Sequence, residues 1–417
     1  MAQAALSLET PAIPDPYHLP IETLDPSRPE LFLNNVHGAY FRRLRDEDPV
    51  HFVAESPFGP FWSITRFDDI VAVETNTKVF SSSPSIIIGD ATDGFEPPMF
   101  IAMDPPKHDQ QRLAASPAVG PTRLAELEDL IRARAGAILD GLPLGETFNW
   151  VERVSKELTT QMLATLFDLP FEDRYLLPYW SDISTSSDAV GVAADMAERH
   201  RVLMECLAYF TKLWHERAAR PPKFDFISLL AHNPETKGMV NDPMEFIGNI
   251  MLLIVGGNDT TRNSISGGVV ALNQNPAEYA KLRADRSLIP SMVSEVIRWQ
   301  TPLSHMRRTA TQDFEFKGKQ IKKGQKVVLW YCSGNRDETA IERPDDFLID
   351  RARARHHISF GFGIHRCMGN RMAEMQLRVL WEEIMKRFSF VELVGEPQRV
   401  SSNFVNGYEV VPVRLHA

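Results

Sequence analysis

Cysteine is scarce. There are three in 417 residues, Cys206, Cys332 and Cys367, too few and too scattered for a disulfide scaffold or a C-x-x-C metal knuckle. Long apolar runs are missing too, each being broken by Gly, Asn, Asp or Arg well short of a bilayer span. The opening MAQAALSLETPAIPDP lacks the basic start and apolar run of a secretory signal. Together these absences predict a cytoplasmic protein with no transmembrane anchor. Basic charge is in deficit, 45 Lys and Arg against 55 Asp and Glu, net -10. That argues against a nucleic-acid partner and still permits a local basic face that recruits an acidic protein. No glycine/serine linker, repeat or low-complexity tract divides the chain, and no glycine pair forms a flavin or nicotinamide fingerprint. The expectation is a proline- and acid-rich leader over 1–30, forming an extended surface arm, and one large domain over 31–417, as a monomer.

What is present is mostly helical period. Apolar spacing predicts helices over 33–50, 104–142, 152–168, 189–218 and 222–232, with a long loop over 81–100. The strongest helix is 243–275, which opens with Asp242 as N-cap, Pro243 at the first helical position and Glu245 three residues after the cap. A helix over 288–299 stops before Pro302, and another runs from about Met368 to Arg387. Strand signals are short: FWSI from Phe61 running into a helix, then 306–310, 313–317, 326–331 and the C-terminal segment. The fold class is mainly α with minor β, without the regular alternation of a doubly wound sheet.

The sharpest local feature is Phe360-Gly361-Phe362-Gly363-Ile364-His365-Arg366-Cys367-Met368-Gly369. A thiol at a helix start meets unpaired N–H groups and the positive helix end, which favour thiolate. A lone cysteine, such as Cys206 or Cys332, reads as a small buried hydrophobe. The full ten-residue pattern instead resembles the haem-binding loop of cytochrome P450 enzymes, and the resemblance runs from about residue 35 to the C-terminus. It implies the P450 fold, haem b as cofactor, Cys367 as the axial ligand of its iron, and Phe360 and Gly369 beside the ring.

Four further segments carry the resemblance. Gly256-Gly257-Asn258-Asp259-Thr260-Thr261, by itself a polar flaw in a helix, is similar to the family's oxygen-activation segment. That likeness puts Gly256 against the haem, Thr260 as hydrogen-bond partner of dioxygen and Asp259 in proton relay. Glu295 and Arg298, an i,i+3 pair common on surfaces, resemble with Arg351 the family's structural Glu-Arg-Arg network. His108 and Arg112, four apart after Asp104-Pro105-Pro106, could be a solvated helix pair; the resemblance makes them haem propionate donors. By the family's Arg-x-Ala pattern Arg308, not Arg307, joins them, with His365 as the last donor.

A narrower likeness lies in Arg298-Trp299-Gln300-Thr301-Pro302-Leu303-Ser304-His305-Met306-Arg307-Arg308 and Ile254-Val255-Gly256-Gly257, which look like bacterial alkane terminal hydroxylases. That implies oxidation of the end methyl of a medium-chain alkane, with fatty-acid ω-hydroxylation or hydroxylation of methyl-branched lipids and terpenoids as alternatives. Placed by the family's substrate-contact regions, Ile86, Ile87, Ile88, Met99, Phe100, Leu252, Val255, Leu303, Met306 and Phe404 are expected to wall an apolar channel, with Phe95–Phe100 at its entrance. No basic cage demands a charged substrate. Electrons must come from outside; by resemblance the partners are an iron-sulfur ferredoxin and an NAD(P)H-dependent flavin reductase. Arg353, Arg355, Arg366 and Arg371 are candidates for the docking face, with Arg351 if it is free of the network. A peroxide-driven enzyme would not need Asp259 and Thr260, and neither would a haem-thiolate gas sensor. A cysteine hydrolase lacks an orienting third group.

Overall fold

The computed structural model describes residues 13–90, 96–185 and 196–417. Its spine is the helix Pro243–Gln274, begun as its sequence dictates: the Asp242 carboxylate accepts the Glu245 N–H at 3.2 Å. Glycines and small residues along it let neighbours close in. A Cβ on Gly257 would lie 2.7 Å from a terminal methyl of Leu163 on the helix Glu157–Phe167, so a larger residue there would have to displace that side chain. The helices Leu176–Thr185, Met196–Ala218 and Ile289–Gln300 also pack on the spine. Pro121–Asp140 and Asn370–Arg387 pack on each other beside it. Together they enclose the main apolar core around Trp150, Phe167, Trp180, Ile250 and Trp381.

The sheet material is small and segregated. Five short strands run in the order Val50–Val53, Phe61–Ile64, Lys326–Trp330, His305–Ala310 and Phe80–Ser81. Phe61–Ile64 pairs parallel with Lys326–Trp330 and antiparallel with Val50–Val53. Covered on both faces, all four of its residues are buried. A three-stranded sheet of Thr147–Asn149, Pro412–His416 and Phe390–Leu393 closes the far end. The mainly α class with minor β is borne out.

Several boundaries differ from the sequence expectation. The helix expected over 104–142 is two, Lys107–Ala115 and Pro121–Asp140, parted by the 3-10 turn Ser116–Val119: Pro117, with no N–H, interrupts the first, and Gly120-Pro121 starts the second. Leu176–Thr185 and Pro276–Ala284 were not anticipated. The helix at 222–232 is confined to Phe226–His232, where Asp225 caps it after Pro221-Pro222. The leader is not an extended surface arm where it is described. From Ile13 it turns through Pro16–His18 and Ile21–Thr23, and Leu24 is buried with Phe41 and Trp330. Ile13, Leu19 and Ile21 pack against the same cluster and pin it down. Residues 1–12 of that leader, Phe95 of the expected entrance segment and 189–195 of the expected helix lie outside the described residues.

Candidate active site

A cavity of 380 Å³ runs between the spine and the cysteine loop, within the usual range for small-molecule sites. Gly256, Gly257, Thr260 and Thr261 form one wall; Phe360, Gly361, His365, Cys367 and Gly369 form the facing one. Gly361 and Gly363 both have φ +65, where a side chain is strained. Their neighbourhood demands glycine as well, since a Cβ on Gly363 would sit 2.8 Å from the Glu74 carbonyl and one on Gly361 3.2 Å from the Tyr331 hydroxyl. The loop closes through the Cys367 N–H on the Phe360 carbonyl at 2.8 Å. Cys367 lines the cavity and is exposed. Desolvation pushes its thiol up, against the Gly369 N–H and the Arg112 and Arg366 cations, which pull it down.

Two guanidinium groups and an imidazole gather at the same end. Arg112, Arg308 and His365 line the cavity. Arg308 is buried in an ion pair with Glu74, whose other oxygen accepts the Tyr331 hydroxyl. Arg307 does not reach the cavity and instead pairs with Asp90 at 2.6 Å. Neither ring nitrogen of buried His365 has a protein partner, and neither does Nε2 of His108. Burial, with Arg308, His108 and Arg112 nearby, holds His365 neutral and pushed down to about 2. His108 stands behind it, ring centroids 4.3 Å apart, and is not on the cavity wall. A Cβ on Gly256 or Gly369 would meet nothing within 4 Å. Open glycine faces on both walls, a thiol between them and orphaned donors at one edge suit a flat group carrying a metal and acidic substituents.

On the spine, the Thr260 hydroxyl donates to the Gly256 carbonyl at 3.0 Å and faces the cavity. Asp259 points away from it, into the core against Leu176–Thr185. Its carboxylate meets Arg262 at 2.8 Å, Asn258 at 3.1 Å and Ser181 at 3.2 Å. Burial raises the Asp259 carboxyl, with Arg262 opposing. The Glu295, Arg298 and Arg351 side chains do come together: Arg298 meets Glu295 at 2.7 and 2.8 Å and Arg351 meets it at 3.0 Å. Arg298 also donates to the Asn335 and Pro344 carbonyls, tying the meander before the cysteine loop to the helix Ile289–Gln300.

Nine of the ten expected channel residues, Ile86, Ile87, Met99, Phe100, Leu252, Val255, Leu303, Met306 and Phe404, line the cavity. Ile88 does not. It packs fully buried with Phe41, Trp330 and Cys332, because the chain bends through 86–89 and turns that side chain away from the cavity. Arg199, Ser184 and Thr185 also reach the wall, so the cavity is less uniformly apolar than the sequence suggested. Glu74 and Tyr331, which hold Arg308, were not foreseen, since the contact joins positions far apart in sequence. Arg262 could have been, from its i,i+3 place after Asp259.

The cytochrome P450 family model matches residues 142–407, more than half of the chain. The chain belongs to the cytochrome P450 family. It is 37% identical over 406 residues to the linalool 8-monooxygenase of Pseudomonas putida, covering 95% of this chain and 99% of that one. With the methyl-branched lipid omega-hydroxylase of Mycobacterium tuberculosis it shares 31% over 393 residues, 91% of each. Among solved structures, cytochrome P450-153 from Novosphingobium aromaticivorans superposes with TM-score 0.89 at 45% identity, over 94% of this chain and 99% of that one. This P450 is therefore a bacterial-type haem-thiolate monooxygenase, and family membership implies haem b. Among the described residues no helix is long and apolar enough to cross a membrane.

Proposed function

We propose that this P450 hydroxylates the terminal methyl of medium-chain n-alkanes, giving primary alcohols. The observation that carries the reading is the run of aliphatic and thioether side chains leading to the space between Thr260 and Cys367, in a chain similar to cytochrome P450-153. Each methylene moved from water into such a channel contributes about 0.8 kcal/mol. Primary C–H bonds are the strongest in an alkane, so terminal attack requires that geometry exclude the inner carbons.

In this reading Cys367 ligates the haem iron, and Arg112, Arg308 and His365 hold the propionates, with His108 supporting His365. When bound, haem supplies the oxidant: one oxygen atom of O2 enters the C–H bond, and two electrons and two protons take the other to water. Thr260 holds a hydroxyl proton on the cavity side of the spine, where dioxygen must bind. Asp259, kept on the far side by Arg262 and Ser181, is the proton store behind it. A peroxide-driven enzyme would need neither. The electrons come from a ferredoxin served by a flavin reductase, docking over exposed Arg353, Arg355, Arg366 and Arg371. Arg351 is excluded from that face by its place against Glu295.

A second reading, ω-hydroxylation of fatty acids, is favoured by Arg199 with Ser184 and Thr185 on the cavity wall, a cation that a carboxylate head could meet. Branched lipids and terpenoids follow from the relatives' activities. Octane and dodecanoic acid, offered separately to the holoenzyme with ferredoxin and reductase, decide between them. Mostly 1-octanol upholds the proposal. Mostly ω-hydroxydodecanoate with little octane turnover moves it to fatty acids, and neither product sinks both.

A further inference from the structure

Met99 and Phe100 stand on the cavity wall, where the irregular segment 96–99 enters the single 3-10 turn Phe100–Ala102. One of its amides is anchored on the spine. The Phe100 N–H donates to Asn249 Oδ1 at 2.9 Å. Asn249 is fully buried on the spine and is not on the cavity wall. Its Nδ2 donates to Gln111 Oε1 and to the Glu245 carbonyl, each at 3.0 Å. Gln111 Nε2 in turn donates to Glu245 Oε1 at 2.6 Å, and the other Glu245 oxygen pairs with Lys107.

The direction of this chain is forced. A carboxylate only accepts, so Gln111 must present its nitrogen to Glu245 and its oxygen to Asn249. Asn249 must then present nitrogen to Gln111 and oxygen to Phe100. A flipped Asn249 amide would put a donor against a donor in a dry site, at the full cost of an unmade hydrogen bond. Immediately before Asn249, Gly248 has no room for a Cβ, which would run into the Pro98 carbonyl. The backbone therefore rests on the spine itself, and Asn249 Oδ1 fixes the Phe100 amide there.

We propose that Asn249 is a specificity-determining positioning residue. By holding the Phe100 N–H it sets the wall of Met99 and Phe100 that keeps inner methylenes away from the reacting position. The inference rests on the terminal-oxidation reading and adds to it a residue that touches no substrate. Gln111 lies on the helix that also carries Arg112, so the same amide ties the substrate wall to a haem-holding element.

The test compares wild type with Asn249→Ala as holoenzymes, haem loading being checked first by the carbon monoxide difference spectrum. Two quantities are read: hydrogen exchange at the Phe100 amide, and the ratio of 1-octanol to 2- and 3-octanol. Faster exchange with a terminal share lowered about threefold to tenfold is expected for one lost hydrogen bond. Unchanged exchange overturns the proposal, and so does faster exchange with an unchanged ratio. Should Asn249→Ala not take up haem, Gln111→Met, which keeps the Phe100 bond but releases the Asn249 amide, is expected to move both readouts the same way by less. If wild type makes no terminal product, the terminal-oxidation reading has failed. The proposal is then upheld by faster exchange with a changed position of attack on the compound the enzyme does oxidise, and overturned by no change.

Discussion

Thr260 donates its hydroxyl to the Gly256 carbonyl one turn back, a bond that fixes the side chain toward the cavity without any other partner. Thr260→Ala removes that hydroxyl and leaves the backbone helical. We expect haem content and the carbon monoxide spectrum to stay as in wild type, while product formed per NADH consumed falls and peroxide rises. Full product yield per NADH would show that the hydroxyl has no part in proton delivery. Cys367, Thr260 and Arg308 were legible as residue types because each sits in a short local pattern. Asn249, Glu74 and Tyr331 were not, since their roles come from partners 149, 234 and 257 positions away. Ile88 was misplaced for a related reason: sequence order says which segment reaches the cavity, and the local twist of the chain says which of its side chains does.

Among the elements, the helices Pro121–Asp140 and Asn370–Arg387 are joined along one seam by charge. Glu383, its side chain 6% exposed, meets Arg132 at 3.0 Å, Lys386 at 2.5 Å and Arg387 at 2.5 Å. Burial alone would raise its carboxyl, but the three cations prevail and hold it at about 2, below the ordinary 4.5. A folded-state value below the unfolded one stabilises above pH 4.5 and is lost as the pH falls toward 2. Glu383→Gln should therefore lower Tm at neutral pH, with the gap to wild type closing through that window. A gap constant with pH would mean that packing, not charge, holds the seam. The spine and the helix after the cysteine were plain in sequence because cap, period and length agreed. The split at Gly120-Pro121 and the helix Leu176–Thr185 were obscured: Pro121 is a strong helix start that an unbroken apolar period hides, and Pro178 within LLPYWSDIST reads as a breaker.

For the whole molecule, net charge -10 coexists with exposed Arg353, Arg355, Arg366 and Arg371 near the cysteine loop. A field of that shape steers an acidic electron carrier and is screened by salt within about 10 Å at 0.1 M. Reduction of the holoenzyme by ferredoxin should slow steeply with ionic strength. Arg366→Ala should lower the bimolecular rate and flatten that dependence, with substrate-induced spectral changes unaltered. Reduction indifferent to salt would remove this face from consideration. The charge balance and the arginines beside the cysteine loop were readable from the sequence; the withdrawal of Arg351 against Glu295 required the folded chain. The parallel pairing of Phe61–Ile64 with Lys326–Trp330 bears on how that folded chain is reached. On the ribosome the early strand emerges with one edge bare, and its partner does not exist until residue 326 has been made. At 5–20 residues per second that wait is on the order of ten seconds to a minute. Over that interval the nascent sheet edge is exposed to other chains, so yield in a fast-translating host should respond to slower synthesis or to a chaperone that covers that edge.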